Sequence, residues 1–423
     1  MNPISSNADR TTSLMVNGRS YAWPSRPTVV ICFDGCDPAY LEAARKSNAI
    51  PAIERMMRDG FATTALAAMP TFTNPNNISI ICGVPPSVHG VSGNFYLDRK
   101  TGPEVMVVDA TPMQATTILA AFADAGAQVV AITAKDKLRK ALGHKLKGVA
   151  CSAERANACT LAENGIEDVT GLVGRGTPDP YLADLSLFVL DAGIRLLETR
   201  PIDLMYLSLS DYVQHKHGPD EPEAIAFMRE VDQRIDRLVA LGAVVGVVAD
   251  HGMNDMATPD GKPNVLYLGN VLDAQYSRGA TRVICPITDP FVRHHGAMGG
   301  FVRVHLFAPH LLADDVAAFI RRLPGVALAL PRDQACERFE LPEDREGDLA
   351  VIANKGTAIG ARAEDHDLTQ LAGERLRSHG GLAEQQVAFL LSDPVTSRHR
   401  SALGADPLRN FDIFSVALNG VEA

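Results

Sequence analysis

Four short runs of apolar, mostly β-branched residues each stop at a charged side chain, and this pattern restricts the fold more than any other feature of the chain. Thr28-Val29-Val30-Ile31-Cys32-Phe33 runs into Asp34, Ala127 to Thr133 leads to Lys135, Ile202 to Ser208 leads to Asp211, and Ala243 to Val248 leads to Asp250-His251. Such runs read as strands buried on both faces, the signature of a parallel sheet covered by helices. Parallel sheets place their ligand sites outside the carboxyl ends of the strands, so these charged residues are expected to converge. Helical patterns at Ser152 to Ala162, Leu182 to Leu197 and Pro222 to Leu238 have the spacing of crossovers. The expected fold is α/β, an αβα sandwich with a mostly parallel central sheet.

From 258 to 367 the texture changes, with more Pro and Gly and with Arg293-His294-His295 and Val302-Arg303-Val304-His305 in irregular surroundings. This stretch is expected to be a smaller inserted α+β cap, with 1–257 and 368–423 forming the metal-binding catalytic core. After it, His379-Gly380-Gly381 precedes another strand-like run, Val387 to Leu391. At 423 residues, 46% hydrophobic and 21% charged, the chain can bury a large core, and its composition excludes disordered, collagen-like and coiled-coil classes. A formal charge of −10 disfavours nucleic acid and anionic membranes as partners. Seven cysteines without a CxxC pair, and the lack of a signal-like start or a long apolar run, fit reduced thiols and a cytoplasmic location.

The set Asp34, Asp211, His215, Asp250, His251 and His379 carries the chemistry. Mixed carboxylate and imidazole donors suit two borderline divalent ions such as zinc, with iron or manganese as substitutes. The segment Met69-Pro70-Thr71-Phe72-Thr73-Asn74-Pro75 adds a hydroxyl just ahead of a helix that Pro75 is placed to start. Backbone N–H groups there favour an alkoxide and a bound phosphoryl oxygen, making Thr73 the candidate nucleophile, with Thr71 as its rival. Each residue alone has a plainer reading: the aspartates as caps or turn residues, Asn94 as a turn residue beside Gly93, and Lys135 and Lys137 as part of a solvated basic run. His217, His305, His310 and His366 are read as surface or core histidines.

Asp34-Gly35, Pro70-Thr71-Phe72-Thr73-Asn74-Pro75-Asn76, Asp211 with His215, Asp250-His251-Gly252-Met253 and His379-Gly380 resemble, in this order, the nucleotide pyrophosphatase/phosphodiesterase branch of the alkaline phosphatase superfamily. Within it the chain looks most like the phosphonoacetate hydrolases, through Val16-Asn17-Gly18, Gly93-Asn94-Phe95-Tyr96, Lys135-Asp136-Lys137, Glu364 to Leu368 and Leu376 to Gly381. The resemblance implies one zinc on Asp34, Thr73, Asp250 and His251 and another on Asp211, His215 and His379. It also implies that Asn94 binds a phosphoryl oxygen and that Lys135 and Lys137 bind the substrate carboxylate. Arg293 or His294 from the cap would add to that clamp.

The implied activity is cleavage of the carbon–phosphorus bond of phosphonoacetate to acetate and phosphate through Thr73, by a protein whose partner is a small phosphonate and which can form a homodimer. Two alternatives stay open: a phosphodiesterase or nucleotide pyrophosphatase on the same metals, and a catalytically silent metal- and phosphonate-binding protein. A sulfatase is disfavoured because no Cys-x-Pro-x-Arg stands near Thr73.

Overall fold

The computed structural model describes residues 13–98, 102–287, 296–371, 373–404 and 406–422. In chain order the central sheet takes β1 (Thr28–Cys32), β2 (Phe61–Leu66), β3 (Val129–Thr133), β4 (Val149–Ser152), β5 (Leu204–Ser208) and β6 (Val244–Val248). Four further strands, β7 (Thr281–Ile284), β8 (Phe301–Leu306), β9 (Val326–Pro331) and β10 (Leu349–Ala353), build a second sheet before β11 (Gln386–Leu391) returns to the first.

The central order is β2-β11-β6-β1-β5-β3-β4. From β6 to β4 the neighbours are parallel, whereas β11 runs antiparallel to both β6 and β2. Every residue of β1, β3, β5 and β6 is buried, as strands covered on both faces require. Register then sets the level at which the chain leaves the sheet. Cys32 pairs with both Val248 and Ser208, and Ser208 with Thr133, so four neighbouring strands end side by side.

The covering helices include α1 (Thr73–Cys82), α2 (Asp184–Thr199), α3 (Pro222–Ala240) and α4 (Ile413–Asn419). Adjacent residues of β5 show the two layers. Tyr206 points to Asn77 of α1 and Phe414 of α4, whereas the methyls of Leu207 lie against Gly193 of α2, where even a Cβ would come within 2.9 Å. The fold is therefore an αβα sandwich on a mostly parallel sheet. The helix expected over Ser152 to Ala162 is absent. Ser152 still belongs to β4, Arg155 breaks the following 3₁₀ turn with non-helical dihedrals, and a separate short helix begins only after Thr160, whose hydroxyl accepts from Glu163 N.

The second sheet, β7-β8-β10-β9, is antiparallel throughout, and helices Ala313–Ile320 and Arg332–Phe339 pack on it. Its apolar cluster takes in Met69 and Phe72 from the turn before α1, with Phe72 set edge-on to Phe301. Among the described residues no helix is long and apolar enough to cross a membrane.

Candidate active site

The level strand ends deliver their side chains to one place. Asp34 and Asp250 each lie two residues past their strands, and Asp211 lies three past β5 as the residue capping the helix Tyr212–Lys216. His215 is one helical turn on from Asp211, which puts both on one face. Two groups of potential ligand atoms result, Asp34 with Asp250 and His251, and Asp211 with His215 and His379, each drawn together within 4.8 Å. They are neighbours, since the rings of His251 and His379 stack 3.6 Å apart at 7°.

The hydrogen bonds around these residues fit a cation. His215 Nδ1 lies 2.8 Å from Arg377 O, His251 Nδ1 3.0 Å from Gly252 O, and His379 Nδ1 2.7 Å from Thr71 O. A neutral ring that donates its Nδ1–H to a carbonyl presents a bare Nε2, the arrangement typical of metal-ligating histidine. Those Nε2 atoms face carboxylates: His215 and His379 stand 2.9 and 3.7 Å from Asp211 Oδ2, and His251 stands 3.3 Å from Asp34 Oδ1. Lone pair against carboxylate is repulsive unless a positive charge lies between. Asp34 Oδ1 is buried without a hydrogen-bond partner among the described residues. Burial, reinforced by the Asp211 and Asp250 carboxylates, pushes the Asp34 carboxyl well above its usual range, and burial holds the His379 imidazole well below its own. The residue set is compatible with a metal site.

Thr73 is the first residue of α1, two positions earlier than the start expected at Pro75, with Phe72 as the extended residue before it. Its hydroxyl lies 3.2 Å from His251 Nε2. Thr71 is fully buried instead, donates to Gly381 O at 2.8 Å and offers its carbonyl to His379, which makes it a strut.

Two residues of the same segment were given no role by the sequence. Asn76 bonds Ala68 O, Pro70 O and Phe72 O and accepts from Ala68 N, closing the turn that presents Thr73. Asn77 donates to Asp250 Oδ2 at 3.1 Å and to Thr73 O at 3.0 Å, while Tyr206 and Ser208 each donate to its Oδ1 at 2.8 Å. Their positions one helical turn past the hydroxyl were the available signal.

A pocket opens beside the two groups, lined by Thr73, Asn94, Lys135, Lys137, Tyr181 and Tyr212 among others. The two lysines do not extend a strand. β3 ends at Thr133, Lys135 caps the helix Asp136–Leu142 and Lys137 lies in its first turn, and both residues reach the pocket. The Lys135 ammonium donates to Pro180 O at 3.0 Å and stands 4.9 Å from the centre of the Tyr181 ring. Asn94 has its backbone N–H on Pro286 O at 2.7 Å and its Oδ1 buried with no partner among the described residues. Arg293 and His294 lie outside the described residues. His366 accepts from Ala361 N and faces Gly296 O, and His217 pairs with the exposed Glu221 and Glu223.

The family model for type I phosphodiesterase / nucleotide pyrophosphatase matches residues 28–382, and the chain belongs to this family, part of the alkaline phosphatase superfamily. Within it, the chain is similar over nearly its whole length to phosphonoacetate hydrolase from Sinorhizobium meliloti 1021. The structure of that protein with phosphonoformate is 44% identical at a TM-score of 0.92, covering 96% of this chain and 98% of the other. Its structure with phosphonoacetate is 42% identical at a TM-score of 0.90. Phosphonoacetate hydrolase of Penicillium oxalicum is 61% identical over 70 residues, 16% of this chain and 86% of that sequence. An uncharacterized pyrophosphatase/phosphodiesterase of Schizosaccharomyces pombe is 26% identical over 254 residues, 58% of this chain, and the match spans 47% of that protein.

Proposed function

We propose that this protein hydrolyses phosphonoacetate to acetate and phosphate, with Thr73 as nucleophile and two divalent ions, zinc by donor type, as cofactors. One observation carries the reading: Lys135 and Lys137 line the same pocket as Thr73, Asn94, Asp34, Asp211, His215 and His379, so a carboxylate and a phosphoryl group can be held together. Asp34, Thr73, Asp250 and His251 would hold one ion, and Asp211, His215 and His379 the other. Bound ions would supply positive charge to the phosphoryl oxygens and lower the pKa of a coordinated hydroxyl.

Thr73 Oγ1 attacks phosphorus in line, forming the P–O bond as the C–P bond breaks. The electron pair moves onto the carbon and its carboxylate as an enediolate, which is protonated to acetate. Lys135 and Lys137 contribute to rate to the extent that they hold this charge more tightly than the ground-state carboxylate, and Asn94 does the same for phosphoryl oxygen. Water then hydrolyses the phosphothreonine, releasing phosphate and restoring Thr73.

We further propose that 258–367 forms an inserted cap on a core of 1–257 and 368–423, which the separate antiparallel sheet and its apolar cluster support. The seven cysteines are all free thiols, which suits action in the cytoplasm.

A second reading, phosphodiester hydrolysis, draws support from Tyr181 and Tyr212, an aromatic pair 6.1 Å apart at the pocket that could stack a base. The deciding assay compares phosphate release from phosphonoacetate with cleavage of a p-nitrophenyl phosphodiester by zinc-loaded protein. The proposal expects phosphonoacetate to be favoured by about a hundredfold or more, a margin of the size removed with one catalytic hydrogen-bond donor. A better diester substrate would establish the second reading, and zinc binding without turnover of either would mark a silent binding protein.

A further inference from the structure

Asn94 is tied into the pocket mainly through backbone, and the ties lead to the second sheet. Arg303 of β8 is fully buried, as is its ion-pair partner Glu346. Its Nη2 donates to Ser92 O at 2.9 Å and Ser92 Oγ at 2.8 Å, and its Nη1 donates to Phe95 O at 3.4 Å. The guanidinium thus grips both sides of Asn94. Pro286, two residues past β7, completes the hold by accepting the Asn94 N–H. Gly93 lets the three segments meet, because a Cβ there would come within 2.7 Å of Pro286 Cβ and 3.3 Å of Arg303 Nη1. One step along, Arg345 donates to Gly90 O and, at 2.8 Å, to Pro112 O.

A buried Arg–Glu pair is a poor source of net stability, because desolvating both charges offsets most of their attraction. What this pair does supply is direction. A planar fork bonded to Glu346 on one edge and to the Ser92 and Phe95 carbonyls on others has a single orientation, and a lysine cannot reproduce it.

We propose that Arg303, oriented by Glu346, is a positioning residue for the reaction: it fixes the Ser92–Phe95 segment so that the Asn94 amide meets the phosphoryl group at the right distance. The inference rests on the proposed role of Asn94 as a phosphoryl-binding group. It assigns the second sheet a part in catalysis through a residue that touches neither substrate nor Thr73. Because the phosphoryl group is common to all substrates, the effect must be independent of the leaving group, unlike that of the lysines.

The test is a double-mutant cycle on the zinc-loaded full chain with Arg303→Lys and Asn94→Ala, measured on phosphonoacetate and on a p-nitrophenyl phosphodiester, with Tm and zinc content recorded for each variant. Ser92→Ala, which removes only one hydroxyl contact, serves where Arg303→Lys folds poorly. Arg303→Lys should lower kcat/KM on both substrates by the same factor, roughly ten- to a hundredfold as for a small misplacement of a binding group. In the Asn94→Ala background it should lower kcat/KM no further. Losses that multiply in the double variant, or that fall on one substrate alone, would overturn the positioning role while leaving the functional reading intact. A wild-type protein that turns over neither substrate would overturn both.

Discussion

The two Asp/His groups are built in different ways. Asp34, Asp250 and His251 emerge from the adjacent parallel strands β1 and β6 and are 4%, 0% and 0% exposed. The second group joins Asp211 and His215, from the end of β5, to His379, which follows the short ribbon pairing Asn254–Asp255 with Arg377–Ser378. Its Asp211 side chain is 17% exposed. The first group is set by sheet register and held from below by Asn77. The second depends on a contact between distant parts of the chain, His379 Nδ1 on Thr71 O. A site fixed by register is preorganised, whereas one closed by a loop can open, so the first group should hold its ion more tightly.

Losing the hydroxyl that stands at the first group should have the largest effect. Thr73→Ala is expected to lower kcat on phosphonoacetate by about 10⁴-fold or more, as nucleophile deletions do. Retained burst-phase phosphorylation in that variant, traced by mass spectrometry, would point to Thr71.

Next come Lys135→Ala and Lys137→Ala, each expected to reduce phosphonoacetate turnover by about 10²-fold with diester turnover nearly unchanged. Equal losses on both substrates would remove the lysines from leaving-group recognition.

Asn77→Ala sharpens the comparison itself. It strips Asp250 of a side-chain bond and should weaken the tighter ion by about 10- to 100-fold while sparing the weaker one. Competitive zinc titration of apo protein against a chelator reads both: two affinity classes, with only the tighter one shifted by Asn77→Ala, are expected. A single class, or a shift confined to the weaker ion, breaks the comparison.

The smallest change is expected from Thr71→Val, which deletes one buried hydrogen bond to Gly381 and should cost about 1 kcal/mol in denaturant unfolding. Turnover should fall by less than about tenfold, since the carbonyl that orients His379 remains.

Much of this arrangement was legible before any coordinates. Val29 to Cys32 and Val244 to Val248 could hardly be anything but strands buried on both faces, and a parallel sheet leaves little choice of where Asp34 and Asp250 go. Lys135 and Lys137 were marked only by the family resemblance, and nothing in Ala134-Lys135-Asp136 shows that the strand stops at Thr133 and a helix begins. The break at Arg155 was hidden for a similar reason: a helical pattern of side chains does not reveal a local change of backbone dihedral. Asn77 offered only its place one helical turn past Thr73, and Arg303 could not be singled out, since an arginine in a strand gains meaning only from what lies across from it.

What the sequence determined by itself was the inventory of donor groups, the continuous apolar runs that bury the strands, and the strand ends at which the carboxylates leave them, since each follows from local pattern and the geometry of a parallel sheet. Only the tertiary structure decided that His215 and His379 turn their Nε2 atoms inward, that Thr71 is bonded into the interior while the Thr73 hydroxyl faces His251, and that Arg303 reaches Ser92. Those choices rest on hydrogen bonds between residues far apart in the chain: 178 positions for Thr73 to His251, 211 for Arg303 to Ser92 and 308 for His379 to Thr71. No local pattern encodes the direction of a bond whose partner lies on another layer of the fold.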